Sequence, residues 1–188
     1  MLEPKPGLMS IADFEQLLAS SEQKLELLEG EVLAFAGGSV AHGMLCSVLH
    51  TAVSNATKPP CHTFTSDVAV RLADRSTYVF PDVSRTCEEL DASANHIIAP
   101  DLVIEVISPD SKARDRGEKL DAYQSIPSVM EYLLVDSRRV WVCVFRRMAG
   151  GFWTETTYGL GETVELRTAD VTVDVGRLYA GTGRVLST

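Results

Sequence analysis

Apolar residues at Ile11, Phe14, Leu17 and Leu18 recur at helical spacing behind Ser10, a residue suited to cap the first turn, and predict a helix over residues 11–19. Residues 24–33 read as two short strands about Glu29-Gly30. Ser39, after the Gly37-Gly38 punctuation, opens a second predicted helix over 40–57, in which Val40, Met44, Val48 and Ala52 repeat every four residues and Leu45 and Leu49 widen the stripe until Pro59-Pro60. Strand-like runs follow at 63–72 and 77–83, with Asp74-Arg75-Ser76 as the turn between them, and 86–99 reads as irregular. Residues 102–107 are continuously apolar except at one position, which predicts a strand buried on both faces that ends at Ser108-Pro109-Asp110. A helix is predicted over 113–124 despite Gly117, then strands at 132–135 and 140–145 about the Asp136–Arg139 turn, and further strands at 153–157 and 171–175.

Helices and strands in this order indicate a mixed α/β (α+β) domain, a mixed sheet flanked by helices, with a β-rich C-terminal extension. No repeat or linker divides the 188 residues, so the whole chain is expected to form one domain. Residues 1–8 read as a flexible lead. Hydrophobic content of 45% and charged content of 23% supply an ordinary globular core. No apolar stretch approaches the ~20 residues of a membrane helix, and the N-terminus lacks an apolar signal core, so a soluble cytoplasmic protein is expected. The four cysteines form no C-x-x-C pair and read as reduced thiols.

The interruption in the central strand is Glu105, set among Val103, Ile104, Val106 and Ile107. An ionised carboxylate in such a place costs several kcal/mol unless it is paired, metal-bound or protonated. Asp82 stands in a second β-like run, and Lys119 follows on the next helix. Two strand carboxylates and a lysine suit a divalent metal and a phosphodiester. Other readings stay open on these residues: a turn-holding aspartate for Asp82, a structural ion pair for Glu105, and a solvated lysine paired with Asp115 for Lys119. The net charge of −9, from 26 acidic and 17 basic residues, disfavours loose coating of nucleic acid but is compatible with acidic metal-site residues. Basic residues gather at Lys112, Arg114, Arg116 and Lys119 and at the pairs Arg138-Arg139 and Arg146-Arg147, where they could contact phosphates or cover sheet edges. No G-x-x-x-x-G-K-[ST] or G-x-S-x-G string occurs, which removes the motif basis for a P-loop enzyme or an α/β-hydrolase.

Taken in order, Leu25–Val32, His42, Phe80-Pro81-Asp82-Val83, Ala99–Val106, Ser108-Pro109, Asp115-Arg116-Gly117-Glu118-Lys119-Leu120, Tyr123 and Pro127–Asp136 resemble the Uma-two family of endonucleases, over about residues 10–146. That family sits in the PD-(D/E)-x-K, restriction-endonuclease-like superfamily. The resemblance implies a metal-dependent nuclease core, with Asp82, Glu105 and the backbone carbonyl of Val106 holding Mg²⁺ (or Mn²⁺). The superfamily's lysine stands two residues after the strand acid, where this chain has Ile107. The resemblance instead places it on the following helix, at Lys119, where it would orient or activate water. Glu31, or Glu26 on the same hairpin, would complete the acidic cluster. His42 would bind phosphate or assist proton transfer. The implied substrate is nucleic acid, DNA first, cut by a homodimer. A non-catalytic interaction protein that kept the fold, or a nuclease acting on RNA, stands as the alternative.

Overall fold

The computed structural model describes residues 8–34, 38–108 and 111–184. Most of the expected lead (1–7), Gly37 of the glycine pair and the Pro109-Asp110 stop lie outside the described residues. Helix α1 (Ile11–Ser20) begins at Ser10, whose Oγ accepts the Asp13 N–H. Its Ile11 and Phe14 pack on Leu25, Leu27, Ala69 and Tyr78. Strands β1 (Leu25–Leu28) and β2 (Glu31–Ala34) form the expected hairpin. Glu29 and Gly30 both have positive φ (51° and 85°), as a two-residue hairpin loop of the primed type requires. Helix α2 (Val40–Ala56) follows Ser39, which caps the His42 N–H.

The run at 63–72 divides into β3 (His62–Thr65) and β4 (Ala69–Leu72), which join different sheets. The run at 77–83 also divides, into β5 (Thr77–Val79) and β6 (Val83–Thr86). Pro81 has no N–H to give a ladder, and Phe80-Pro81-Asp82 carries the chain from a five-stranded sheet, in which β2, β1, β5 and β4 are neighbours in that order, to a six-stranded one. Within 86–99 lies the short β7 (His96–Ile97), parallel to β4.

The larger sheet runs β11 (Trp153–Tyr158), β10 (Val142–Arg147), β9 (Glu131–Asp136), β8 (Pro100–Ile107), β6 and β3. Its central strand β8 (Pro100–Ile107) pairs antiparallel with β6 and parallel with β9 (Glu131–Asp136). A parallel pair requires a crossover, supplied here by α3 (Lys112–Asp115) and α4 (Glu118–Ser125). These replace the single helix expected over 113–124. Gly117, at φ −115° and ψ −104°, leaves the helical conformation and separates them. A Cβ at Gly117 would come within 3.0 Å of the Ala113 carbonyl oxygen.

Strands β10 (Val142–Arg147) and β11 (Trp153–Tyr158) complete the sheet. The tail adds a separate pair, β12 (Thr163–Leu166) and β13 (Val171–Asp174), and the short helix α5 (Val175–Tyr179), capped by Asp174. Neither β12 nor α5 was expected, although Thr163–Leu166 alternates exposed and buried as a half-buried strand does.

Alternation along β8 fixes what each face meets. Leu102, Ile104 and Val106 join Leu45, Leu49 and Val53 of α2 and the tail residues Val164, Leu166 and Tyr179. Val103 and Ile107 join Ala122 and Tyr123 of α4 and Tyr132 and Leu134 of β9. Glu105 therefore shares the α4-facing side with Val103 and Ile107. The expectation of four reduced thiols is corrected at one pair: Cys61 and Cys87, flanking the paired strands β3 and β6, form a disulfide, while Cys46 and Cys143 are free. Among the described residues no helix is long and apolar enough to cross a membrane.

Candidate active site

A cavity of about 670 Å³ opens where the two sheets meet α2, α3 and α4, and Glu26, His42, Asp82, Glu105, Val106, Asp115 and Lys119 all line it. Each arrives for a local reason. Asp82 sits at the inter-sheet crossover beside Pro81, and its Oδ2 accepts the Val106 N–H at 2.7 Å, which ties the crossover to β8. Glu105 projects from β8 toward α4. Lys119, in the first turn of α4, reaches back to it.

Lys119 is buried, and its Nζ donates to Glu105 Oε1 at 3.0 Å and to Glu26 Oε1 at 3.0 Å. Asp115 Oδ1 lies 3.8 Å away, one helical turn earlier in sequence and across the Gly117 break. The solvated Asp115–Lys119 pair that the sequence left open is thus a buried one, with two further carboxylates added. Tyr123, one turn after Lys119, donates its hydroxyl to Glu105 Oε1 at 3.0 Å. Among the described residues, hydrogen bonds reach Glu105 only at Oε1. Tyr132 fixes the end of α3 by donating to the Asp115 carbonyl at 3.0 Å.

Burial pushes the Glu105 carboxyl well above the usual carboxylate range, against the pull of Lys119, and neighbouring Asp115, Asp82 and Glu26 push it the same way. Burial also raises Asp115, again opposed by Lys119. For Lys119, burial favours losing the proton, but Glu105, Glu26 and Asp115 together outweigh it and hold the ammonium charged. Three carboxylates at one buried ammonium, with Asp82 lining the same cavity, leave excess negative charge, which favours a cation there.

The hairpin acid that enters the site is Glu26, not Glu31. Glu31 is exposed on the edge strand β2, opposite Leu28 at the turn end of the hairpin. Glu26 is buried on β1 and accepts the Phe80 N–H at 2.8 Å as well as Lys119, so it is joined to the crossover that carries Asp82. Asp101 pairs with Arg85, in keeping with its reading as a strand-start acid.

His42 stands on α2 with Nε2 3.4 Å from Asp82 Oδ2 and Nδ1 3.4 Å from Cys46 Sγ. The hydrogen bond to Asp82 is the main influence raising its pKa above the ordinary 6.5, and burial opposes it. NMR titration of metal-free protein is expected to place His42 above that value, and Asp82→Asn to return it to or below it. A proton held this way stabilises the fold fully below the unfolded pKa of ~6.5, and the contribution is lost as pH rises through the folded value.

The expected basic groups divide: of the cluster after the metal strand, Arg114 and Lys119 line the cavity, while Arg116 and the Arg146-Arg147 pair are engaged elsewhere. Arg116 pairs with Glu155 at 2.6 Å, Arg146 pairs with Glu131 at 2.8 Å, and Arg147 donates to the backbone carbonyls of Gln124, Ile126 and Val129. Arg114 and Arg138 do line the cavity, together with Lys24 and Arg184, which the sequence reading did not single out.

Residues 11–175 match the Uma2 family model, described as "Putative restriction endonuclease". Two uncharacterized proteins of Synechocystis sp. are similar over most of their length. One, slr1290, is 30% identical over 92% of each chain; the other, sll1609, is 28% identical over 85% of this chain and 92% of its own. The fold superposes on the crystal structure of an Anabaena variabilis protein described as a putative nuclease belonging to DUF820, with a TM-score of 0.76 at 20% identity, over 93% of this chain and 99% of that one.

Proposed function

This chain belongs to the Uma2 family, and we propose that it is a Mg²⁺- (or Mn²⁺-) dependent endonuclease that hydrolyses phosphodiester bonds of DNA. One observation carries the reading: Asp82, Glu105 and Lys119, from three separate segments, line one cavity, with the lysine bonded directly to the strand acid.

The donor set fits a hard divalent ion. Glu105 is engaged by neighbouring side chains on one oxygen only, Asp82 stands beside Val106, and both carboxylates line the cavity. Asp82 and Glu105 would hold the ion, with the Val106 carbonyl as a further oxygen. A bound Mg²⁺ would polarise the phosphodiester and lower the pKa of the attacking water.

The chain's own groups do the rest. Lys119, kept charged by its carboxylates, acts as a donor: it orients the water and offsets phosphate charge. Tyr123 and Lys119 both hold Glu105 Oε1, which fixes the carboxylate's rotamer. His42 braces Asp82. Arg114, Arg138 and Arg184 at the cavity wall provide phosphate contacts in a chain whose overall charge repels nucleic acid.

Incubating the protein with plasmid DNA, single-stranded DNA and single-stranded RNA tests the assignment. Cleavage of DNA is expected with Mg²⁺ or Mn²⁺, none with EDTA, and none by Asp82→Ala. Cleavage that survives EDTA or Asp82→Ala overturns the metal assignment, and cleavage confined to RNA overturns the substrate.

A further inference from the structure

Cys46 touches the active-site cluster but has no part in hydrolysis by Asp82, Glu105 and Lys119. It stands four residues after His42 on α2, the spacing that puts two side chains on one helical face. That face meets Asp82 at the crossover. One ligand atom from each of His42, Cys46 and Asp82 falls within 4.8 Å of the others; His42 Nε2 lies 3.4 Å from Asp82 Oδ2 and Nδ1 3.4 Å from Cys46 Sγ, and one ion would take one of the two ring nitrogens. Ligands held tetrahedrally at zinc bond lengths of ~2.0–2.3 Å are spaced about 3.3–3.8 Å apart, so the cluster closes on an ion with small side-chain movements.

We propose that His42, Cys46 and Asp82 form a site for a borderline transition cation of the Zn²⁺ class. An imidazole, a thiolate and a carboxylate together select such an ion over Mg²⁺, which takes oxygen ligands. Three protein ligands leave a fourth position for water. The three residues also line a second cavity of about 400 Å³ along α2, with His50, Thr51 and Ser66, which gives an ion and its water a route in. The metal–sulfur bond forms as the Cys46 S–H bond breaks, and the proton leaves to solvent. Burial raises the free thiol's pKa, and Asp82 adds to the rise. Without a metal Cys46 is therefore a protonated thiol rather than a reactive thiolate.

Zn²⁺ bound there would draw the Asp82 carboxylate toward His42 and Cys46 and away from the Mg²⁺ site. Zn²⁺ at His42–Cys46–Asp82 would therefore switch off cleavage, a consequence that rests on the nuclease reading, whereas the binding does not.

Co²⁺ titration of the metal-free protein, followed by absorption, separates the two without reading turnover. The wild type is expected to develop a thiolate-to-cobalt charge-transfer band in the near ultraviolet, saturating at one ion per chain and removed by one equivalent of Zn²⁺. Cys46→Ser, shown folded by circular dichroism, is expected to lose the band. His42→Ala is expected to weaken Co²⁺ binding by at least tenfold, and Glu105→Gln to keep the band. No charge-transfer band in the wild type, or a band that persists in Cys46→Ser, overturns the site whether or not the protein cuts DNA.

Discussion

Glu105→Gln is expected to reduce metal-dependent cleavage by at least about a hundredfold, the upper range for losing even an outer-shell partner of a bound metal, while leaving the protein folded. The substitution separates charge from shape. A glutamine carbonyl at the position of Oε1 still accepts from Lys119 Nζ and Tyr123, both at 3.0 Å in the native protein. The amide nitrogen then takes the place of the oxygen left to the cavity, and it cannot ligate a cation.

Stability should change little. The buried carboxylate is held well above its ordinary pKa by desolvation, so neutralising it relieves a cost. Against that, Lys119 loses one charged partner but keeps Glu26 and Asp115. Parallel cleavage assays, thermal melts and Mn²⁺ binding by EPR check the claim. A variant that melts near the wild type, binds Mn²⁺ weakly and does not cut places Glu105 on the metal. A folded variant with more than a tenth of the native rate would make Glu105 a structural ion-pair member and nothing more.

What could be read without coordinates follows from how unusual each residue was in its local pattern. Glu105 stood out because an apolar run has no use for a carboxylate, and its burial and pairing follow. Asp82 and Lys119 were marked by order along the chain and by resemblance, and the fold brings both to one cavity. The hairpin acid was ambiguous for a physical reason. All four residues of β1 are buried, so period-two alternation, the signal that separates inward from outward positions, is absent there. Glu26 and Glu31 then look alike until β1 is paired with β5.

Strand boundaries failed where a strand-like run was shared between two sheets. Pro81 was the available signal that 77–83 could not be one ladder, as Gly117 was for the helix over 113–124. The Cys61–Cys87 bridge depends on β3 pairing with β6, a long-range contact that cysteine spacing does not encode. Cys46 was readable in principle, since it lies one turn from His42, but only the position of Asp82 gives that spacing a meaning.

Lys119→Met is expected to produce the largest stability loss of any single substitution in the site. Methionine matches the lysine stem in length and fills much the same space, so the packing change is small. The change in charge is not. Glu26, Glu105 and Asp115 are all buried and all face the ammonium. Removing one partner of a buried ion pair costs about 3–5 kcal/mol; at about 2–4 °C per kcal/mol for a chain of this size, the melting temperature should fall by on the order of 6–20 °C.

The loss should depend on pH in a definite direction. Lys119 is the main influence lowering Glu105 and Asp115 against burial, so without it both folded-state pKa values rise further. A carboxyl whose folded pKa lies above its unfolded value makes the folded state bind more protons, and stability then falls as pH rises from the unfolded pKa through the folded one. The deficit of Lys119→Met relative to wild type should therefore be smallest near pH ~4, where unfolded carboxyls titrate, and should grow toward neutrality. Urea titrations of both proteins at a series of pH values measure it. A deficit independent of pH would mean that the lysine contributes through its stem rather than its charge. A deficit under ~1 kcal/mol at neutral pH, the range of an exposed pair, would mean that water reaches the cluster freely, and the case for Lys119 as a permanently charged donor would fall with it.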